Sequence, residues 1–318
     1  MLRAFFILLS KARWAQRLIT SWRFSWRIAS RFTAGTTRAD VLPVVSALNQ
    51  QGFRVTLDPL GEHTTSAAEA TRAADEIIAL LEDIQRQNLV SGVSIKLSQI
   101  GLTLSEEMGR ANLERVLSAA QRCGNFIRID MEDSSMVDST LAAYQWARER
   151  GFDNVGMVIQ SYLYRSEADV RALLERGTRI RLVKGAYREP PQVAYPKKAD
   201  VDANYDHLTT LLLTHARKVD PGIGGSLRFP PIAALGTHDL ARITFAQGLA
   251  QRLALPKEVL EFQMLYGIRR DLQQQLLAAG YPVRVYVPYG TAWYPYLMRR
   301  LAERPANVWF ILSNFFRK

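Results

Sequence analysis

The chain has 318 residues, 48% hydrophobic and 22% charged, with a formal net charge of +11. This is globular composition with apolar material for one large core, and a single α/β barrel with terminal additions accommodates it as well as two domains do. One cysteine, Cys123, and four dispersed histidines (His63, His207, His215 and His238) exclude an internal disulfide and any familiar metal spacing. No metal site is therefore expected, and a reducing, cytoplasmic compartment is the simplest location.

Most of the charge sits at the N-terminus. Residues 1–31 carry Arg3, Lys11, Arg13, Arg17, Arg23, Arg27 and Arg31 and no acid, which leaves +4 for the rest. No nucleic-acid-binding module accompanies these cations, so no nucleic-acid partner is expected. The apolar stretch Ala4–Leu9 is short, lacks a small-residue cleavage site and runs straight into Lys11, unlike a signal peptide. No run reaches the roughly 18–20 apolar residues of a membrane span. At about 100° per residue, Arg13, Arg17, Arg23, Arg27 and Arg31 share one side, and Trp14, Leu18, Ile19, Trp22 and Trp26 the opposite one. That layout fits an interfacial helix on the anionic inner face of the cell membrane. It fits equally a helix packed on the rest of the protein with its arginines solvated. Residues 1–50 are read as a helical arm belonging to the same domain as residues 51–318.

Beyond the arm, short apolar runs alternate with amphipathic helical stretches, the pattern of a parallel α/β fold. The runs predict strands at 53–58, 93–98, 126–131, 155–160, 179–183, 232–237, 260–265 and 283–288. Helices are predicted between them at 67–87, 113–123, 141–149, 167–175, 207–219, 240–253 and 272–279, with a last one at 293–303. Eight β-then-α units predict a closed (β/α)8 TIM-type barrel with additional N-terminal helices and a C-terminal helix.

Within these strands apolar residues alternate with charged ones. Ile127, Ile129 and Met131 flank Arg128 and Asp130; Ile180 and Leu182 flank Arg179 and Arg181; Val283, Val285 and Val287 flank Arg284 and Tyr286. The apolar face must lie beneath the helices, so the polar face points into the barrel. Its cations (Arg54, Lys96, Arg128, Arg179, Arg181 and Arg284) outnumber its anions (Asp58, Asp130 and Glu261) by three. Buried charge costs several kcal/mol per ion unless paired. Arg128, Arg179, Arg284 and Glu261 are expected to pair with one another, and the remaining excess predicts an anionic ligand.

Neither a G-x-G-x-x-G strand-to-helix turn nor a G-x-x-x-x-G-K-[ST] loop occurs, and the glycine-rich stretch Gly222–Gly225 precedes a strand instead of following one. Catalysis on a barrel sits at the C-terminal ends of the strands. Those ends read Ser94-Ile95-Lys96-Leu97-Ser98, Arg128-Ile129-Asp130-Met131-Glu132, Gln160, Arg181-Leu182-Val183-Lys184-Gly185-Ala186-Tyr187, Thr237-His238, Leu265 and Tyr286, and the last helix adds Tyr296–Glu303. In these segments, and in their order, the chain resembles the proline dehydrogenase family, both the monofunctional enzymes and the corresponding domain of the bifunctional proline utilisation enzymes.

The resemblance implies oxidation of L-proline to Δ1-pyrroline-5-carboxylate by hydride transfer to FAD N5, with electrons passed on to a quinone. A separate pyrroline-5-carboxylate dehydrogenase would take the product onward. FAD would be non-covalent, since no Cys or His stands in a flavin-linking motif. It implies that Arg299 and Arg300 bind the substrate carboxylate with Lys96 nearby, and that Leu265, Tyr286 and Tyr296 enclose the ring. Asp130 would hold Lys96 and the substrate, and Arg181 would stabilise the reduced flavin. Met131, Gln160, Lys184, Gly185, Ala186, Thr237, His238 and Glu303 would contact FAD, and Glu303 would also pair with Arg300 or another cation of the pocket. Taken on their residues alone, Arg299 and Arg300 are more readily a structural or solvated basic patch, and Lys96 and Asp130 equally a structural pair. Another flavin barrel resembling methylenetetrahydrofolate reductase, or a membrane-associated binding protein without catalysis, are the alternatives.

Overall fold

The computed structural model describes residues 26, 29–61, 64–219 and 226–303, with the backbone alone at 299 and 301–303. Most of the basic arm and the 222–225 run therefore lie outside the described residues. Eight parallel strands close into a barrel in chain order. They are β1 (Arg54–Pro59), β2 (Ser91–Ile95), β3 (Ile127–Ile129), β4 (Val155–Gln160), β5 (Ile180–Val183), β6 (Ala233–Gly236), β7 (Leu260–Leu265) and β8 (Val283–Tyr289). Helix α1 (Arg38–Gln50) precedes β1, and one helix follows each strand: α2 (Ala67–Arg86), α3 (Glu106–Arg122), α4 (Val137–Glu149), α5 (Ser166–Glu175), α6 (Lys198–Lys218), α7 (Leu240–Arg252), α8 (Arg270–Ala278) and α9 (Trp293–Glu303). The expected barrel is thus present, with every strand within three residues of its expected ends.

Four of the helices begin where a side chain satisfies one of the first unpaired amides. Thr37 and Asp40 form a capping box on α1, while Ser66, Ser105 and Asp239 cap α2, α3 and α7. α3 and α6 start well before the positions read from periodicity, because their first turns (Glu106–Asn112 and Lys198–Asp206) are polar and carry little apolar signal. One continuous core fills the layer between strands and helices, with Val93, Ile95, Ile127, Ile129, Leu182 and Val285 facing Ile77, Leu80, Leu113 and Leu212.

Register carries the inward residues in layers. Thr56 lies opposite Gly92 and Tyr286, Ser94 opposite Arg128, Arg181 opposite Val158 and Ala234, and Gln263 opposite Gly236 and Arg284. Arg128 thus has Gly156 beside it and Arg181 has Ala234, whereas Arg284 lies between Arg54 and Gln263. A Cβ at Gly156 would lie 2.7 Å from an Arg128 nitrogen and 2.4 Å from the Arg179 carbonyl oxygen. The missing side chain is the space the guanidinium uses.

The barrel floor resolves the charge differently from expectation. Glu261, wholly buried, bridges Arg284 (2.8 Å) and Arg54 (3.0 Å). Arg128 and Arg179 do not join them: Arg128 donates to the carbonyls of Met157 (2.9 Å) and Arg179, and Arg179 to that of Pro230 (2.6 Å). Main-chain oxygens, which sequence patterning cannot register, take the place of acids. Residues 226–230 plug this end, with Phe229 against Phe126 and Arg228 bonded to the carbonyls of Leu89 and Cys123.

At the opposite end, residues 31–35 cross the strand termini. The Ala34 amide donates to Pro288 and the Gly290 amide to Gly35. Gly267 (φ +76°) lies so close beneath that a Cβ there would come within 1.7 Å of the Arg31 carbonyl oxygen. Ala29 and Phe32 join Trp293, Tyr294, Tyr296 and Leu297 in a second apolar cluster, and Trp26 meets Trp293 edge-on at 5.7 Å. At Trp26, the one described member of the arm's apolar side, the packing alternative therefore holds. No helix among the described residues is long and apolar enough to cross a membrane.

Burial pushes the Glu261 carboxyl up, but Arg284 and Arg54 outweigh it and hold the group below its ordinary value of 4.5. A lowered carboxylate contributes stability that is present above the ordinary value and lost as pH falls through the lowered one. Glu261→Gln should cost about 3–5 kcal/mol at neutral pH, by stranding the buried Arg284 guanidinium beside the half-buried Arg54, and should flatten the acid limb of the stability profile. Urea unfolding at neutral pH and between about pH 3 and 5 checks this, and wild-type stability at neutral pH would contradict it.

Candidate active site

A cavity of about 640 Å³ opens at the C-terminal ends of the strands. Of the residues singled out from sequence, Lys96, Asp130, Met131, Gln160, Arg181, Lys184, Gly185 and Ala186 line it. Thr237, His238, Leu265, Tyr286, Tyr296 and Arg300 line the remainder. The side chains of Arg299 and Glu303 lie outside the described residues.

One hydrogen-bonded chain of charges runs up through the barrel into this cavity. Lys96 Nζ is 3.1 Å from Asp58 Oδ1 and 3.8 Å from Asp130 Oδ2, so the expected Lys96–Asp130 pair exists but Asp58 is the nearer carboxylate. Asp130 accepts from Arg181 (2.8 Å) through one oxygen and from the Tyr286 hydroxyl (2.7 Å) through the other. Arg181 also donates to Ser94 Oγ (3.0 Å) and, through Nε, to Gln263, whose amide donates to Glu261 (2.6 Å). Gln263 therefore joins the cavity to the ion pair on the floor. The Arg181 guanidinium lies over the Tyr286 ring at 5.2 Å, and the Arg300 guanidinium over Tyr296 at the same distance.

Burial raises the pKa of Asp58, which is 1% exposed; Lys96 opposes the rise and Asp130 adds to it. Burial, followed by Asp130, likewise raises the Tyr286 phenol, so Tyr286 remains a proton donor to Asp130.

The β5–β6 side of the cavity is built otherwise. Lys184 Nζ sits between Asp202 at the start of α6 and Asp239 at the cap of α7 (2.6 Å), and Lys198 pairs with the same Asp202. Burial works to raise both aspartates, yet the lysines prevail and hold the carboxyls below their ordinary range. Lys184 is accordingly a compensated cation. Thr237 Oγ1 accepts from the Asp239 amide (3.1 Å), and His238 Nε2 accepts from the Leu265 amide (2.9 Å), which requires that nitrogen to be unprotonated. Gln160 donates to the Glu132 carbonyl (2.8 Å), and the buried Glu132 carboxylate accepts from the Ser98 amide (3.0 Å) and hydroxyl. These bonds tie neighbouring strand ends into one rigid rim.

Asp58, Gln263, Asp202 and Asp239 belong to this architecture and were not among the expected site residues. Asp58 and Gln263 carried a signal, because both share the inward parity of β1 and β7 near their C-terminal ends. Asp202 carried none, since the polar first turns of α6 read as loop. Among the described residues no cluster of His, Cys, Asp and Glu could hold a metal ion. The arrangement suits recognition of a small anion, with fixed cations to stabilise negative charge that develops there.

Residues 41–312 match the family described as Proline dehydrogenase. Proline dehydrogenase 1 of Bacillus subtilis (strain 168) is 39% identical over the full length of both chains. Proline dehydrogenase of Deinococcus radiodurans is 42% identical over 92% of this chain and 91% of its own. The bifunctional protein PutA of Escherichia coli (strain K12) is 28% identical over 89% of this chain but only 24% of its own length. Among solved structures, proline utilization A from Bdellovibrio bacteriovorus, inactivated by N-propargylglycine, superposes with a TM-score of 0.78 at 28% identity. That match covers 88% of this chain and 33% of the other, so this chain spans about a third of it. With a family match over most of its length and full-length relatives above the identity at which family is assured, the chain belongs to the proline dehydrogenase family.

Proposed function

We propose that the chain oxidises L-proline to Δ1-pyrroline-5-carboxylate with non-covalent FAD as the hydride acceptor and a quinone as the onward electron acceptor. Proline dehydrogenase activity, the first step of proline catabolism, follows from the family; the cofactor, acceptor and residue roles are the proposal. The observation that carries it is a single cavity in which the Lys96, Arg181 and Arg300 cations meet apolar walls at the strand ends.

The residues present fit FAD. Met131, Val158, Val183 and Met264 offer an apolar surface for a flat ring system, and a volume of about 640 Å³ lies within the usual ligand range. Lys198 and the Gly185-Ala186 backbone, together with the paired Lys184, suit a pyrophosphate. When bound, FAD supplies a two-electron acceptor at N5. Arg300 and Lys96 then bind the proline carboxylate, and Asp58 and Asp130 fix the Lys96 ammonium in place. Tyr286, Tyr296 and Leu265 enclose the ring and exclude water. Loss of hydride from the carbon beside nitrogen needs the nitrogen lone pair, so proline reacts as the neutral amine. Arg181, fixed by Asp130 and Gln263, supplies positive charge close to where electrons accumulate. Contact of the arm with anionic lipid belongs to the same proposal, supported by seven basic residues and no acid over residues 1–31.

Anaerobic addition of L-proline to the purified protein should bleach a flavin absorbance, whereas NADH and NADPH should not. Bleaching by a nicotinamide and none by proline would replace this reading with that of a reductase resembling methylenetetrahydrofolate reductase. Asp58→Asn should lower kcat/KM for proline by about ten- to a hundredfold, the worth of one buried charge-assisted hydrogen bond (about 1.5–3 kcal/mol). Flavin content should persist in that variant, and steady-state assays beside the flavin spectrum check both; unchanged kinetics would remove Asp58 from the site.

A further inference from the structure

The segment after β5, Lys184–Tyr187, lines the cavity without belonging to a strand or helix, so something else must fix its shape. Tyr162, in the loop after β4, touches it twice and is itself held by two further bonds to residues beyond it. Its amide donates to the Lys184 carbonyl (2.9 Å), and its own carbonyl accepts from the Tyr195 amide (2.8 Å). Its ring lies directly under Gly185, where an added Cβ would come within 2.5 Å of a ring carbon. Gly185 has φ +120°, a conformation that favours glycine on its own account. Finally, the Tyr162 hydroxyl donates to Glu189 (3.3 Å).

Glu189 completes the arrangement. Its carboxylate accepts from the Ser134 amide (2.8 Å) and hydroxyl, which fastens the end of the segment to the loop after β3. The return strand of the loop is pinned by a bridge between Leu163 and Ala194 and by the Tyr164 amide donating to Val193 (3.1 Å). Burial, and then Glu189, push the Tyr162 phenol above its ordinary range, so it stays a donor throughout the assayable pH range. Tyr162 and Glu189 are not themselves among the cavity-lining residues, so any effect on a ligand passes through the backbone they shape.

We propose that Tyr162 and Glu189 are positioning residues that mould Lys184–Tyr187 into a fixed cradle for the flavin cofactor and set how tightly it is held. This rests on the flavin reading above. An exposed loop end would otherwise sample many backbone states, and holding it in one removes that ordering cost from binding.

The test is the rate of flavin release from the purified holoprotein after dilution, followed by the recovery of free-flavin fluorescence. Glu189→Ala and Tyr162→Phe should each speed release by up to about tenfold, the effect of losing a part-buried hydrogen bond. Tyr162→Leu, which also empties the space under Gly185, should exceed both. Glu189→Gln should stay near wild type, because its amide oxygen still accepts from Ser134 and Tyr162 while its NH2 can donate to the Ser134 hydroxyl. With FAD added to saturation, kcat for proline should return to near the wild-type value in every variant, since Lys96, Asp130 and Arg300 are untouched. A wild type that holds flavin, with Glu189→Ala and Tyr162→Phe releasing it at the wild-type rate, overturns the assignment and leaves the flavin reading intact. Equal acceleration in Glu189→Gln and Glu189→Ala overturns it too, as a general loosening. A wild type that binds no flavin overturns both.

Discussion

The inward face of this barrel is charged, and low-dielectric burial forces every one of those charges to find a fixed partner. Arg181 is where that constraint concentrates. It takes Asp130 from just past the end of β3, Gln263 from β7 and Ser94 from β2, so these elements and β5 itself converge on one guanidinium. Below it, Gln263 hands the chain to Glu261, Arg284 and Arg54; above it, Asp130 hands it to Tyr286 and Lys96. Barrel interiors filled with Val, Ile and Leu set no directional requirement of this kind. Here the packing that closes the barrel and the geometry that forms the cavity are one network.

Stability and function divide along the barrel axis. On the floor, cations are spent on Glu261 and on main-chain carbonyls, and a plug covers them. At the cavity end, Lys96 and Arg181 share Asp58 and Asp130, while Arg300 approaches from α9. On the proposed function, a carboxylate entering there would meet charges already oriented, and its binding would need little reorganisation. Residues 29–35 contribute by bracing α9 against the strand ends, which links the start of the described chain to the helix that carries Arg300.

Much of this was legible in the sequence. Period-two alternation in β2, β3, β5 and β8 gave both the strands and the inward parity, because a closed sheet leaves each side chain only two directions. The motifs at the strand ends converged on one cavity, as family resemblance implied. Partner choice was less legible. Lys96 lies nearer Asp58 than Asp130, a preference set by rotamers and by the β1–β2 register. Arg128 and Arg179 find carbonyl oxygens, which every residue has and no sequence pattern marks. The compensation of Lys184 by Asp202 was hidden because the polar first turns of α6 carry no apolar periodicity. Tyr162 and Glu189 went unread for a related reason: they act on a loop through backbone contacts.

A double-mutant cycle between Asp130→Asn and Gln263→Leu, followed by urea unfolding, tests the network most directly. Both residues hold Arg181, from different strands and at different nitrogens. A single coupled network predicts an interaction energy of about 0.5–3 kcal/mol between the two substitutions. Additive effects, to within about 0.3–0.5 kcal/mol, would mean that the upper and lower charges are independent pairs and that Arg181 does not unite them.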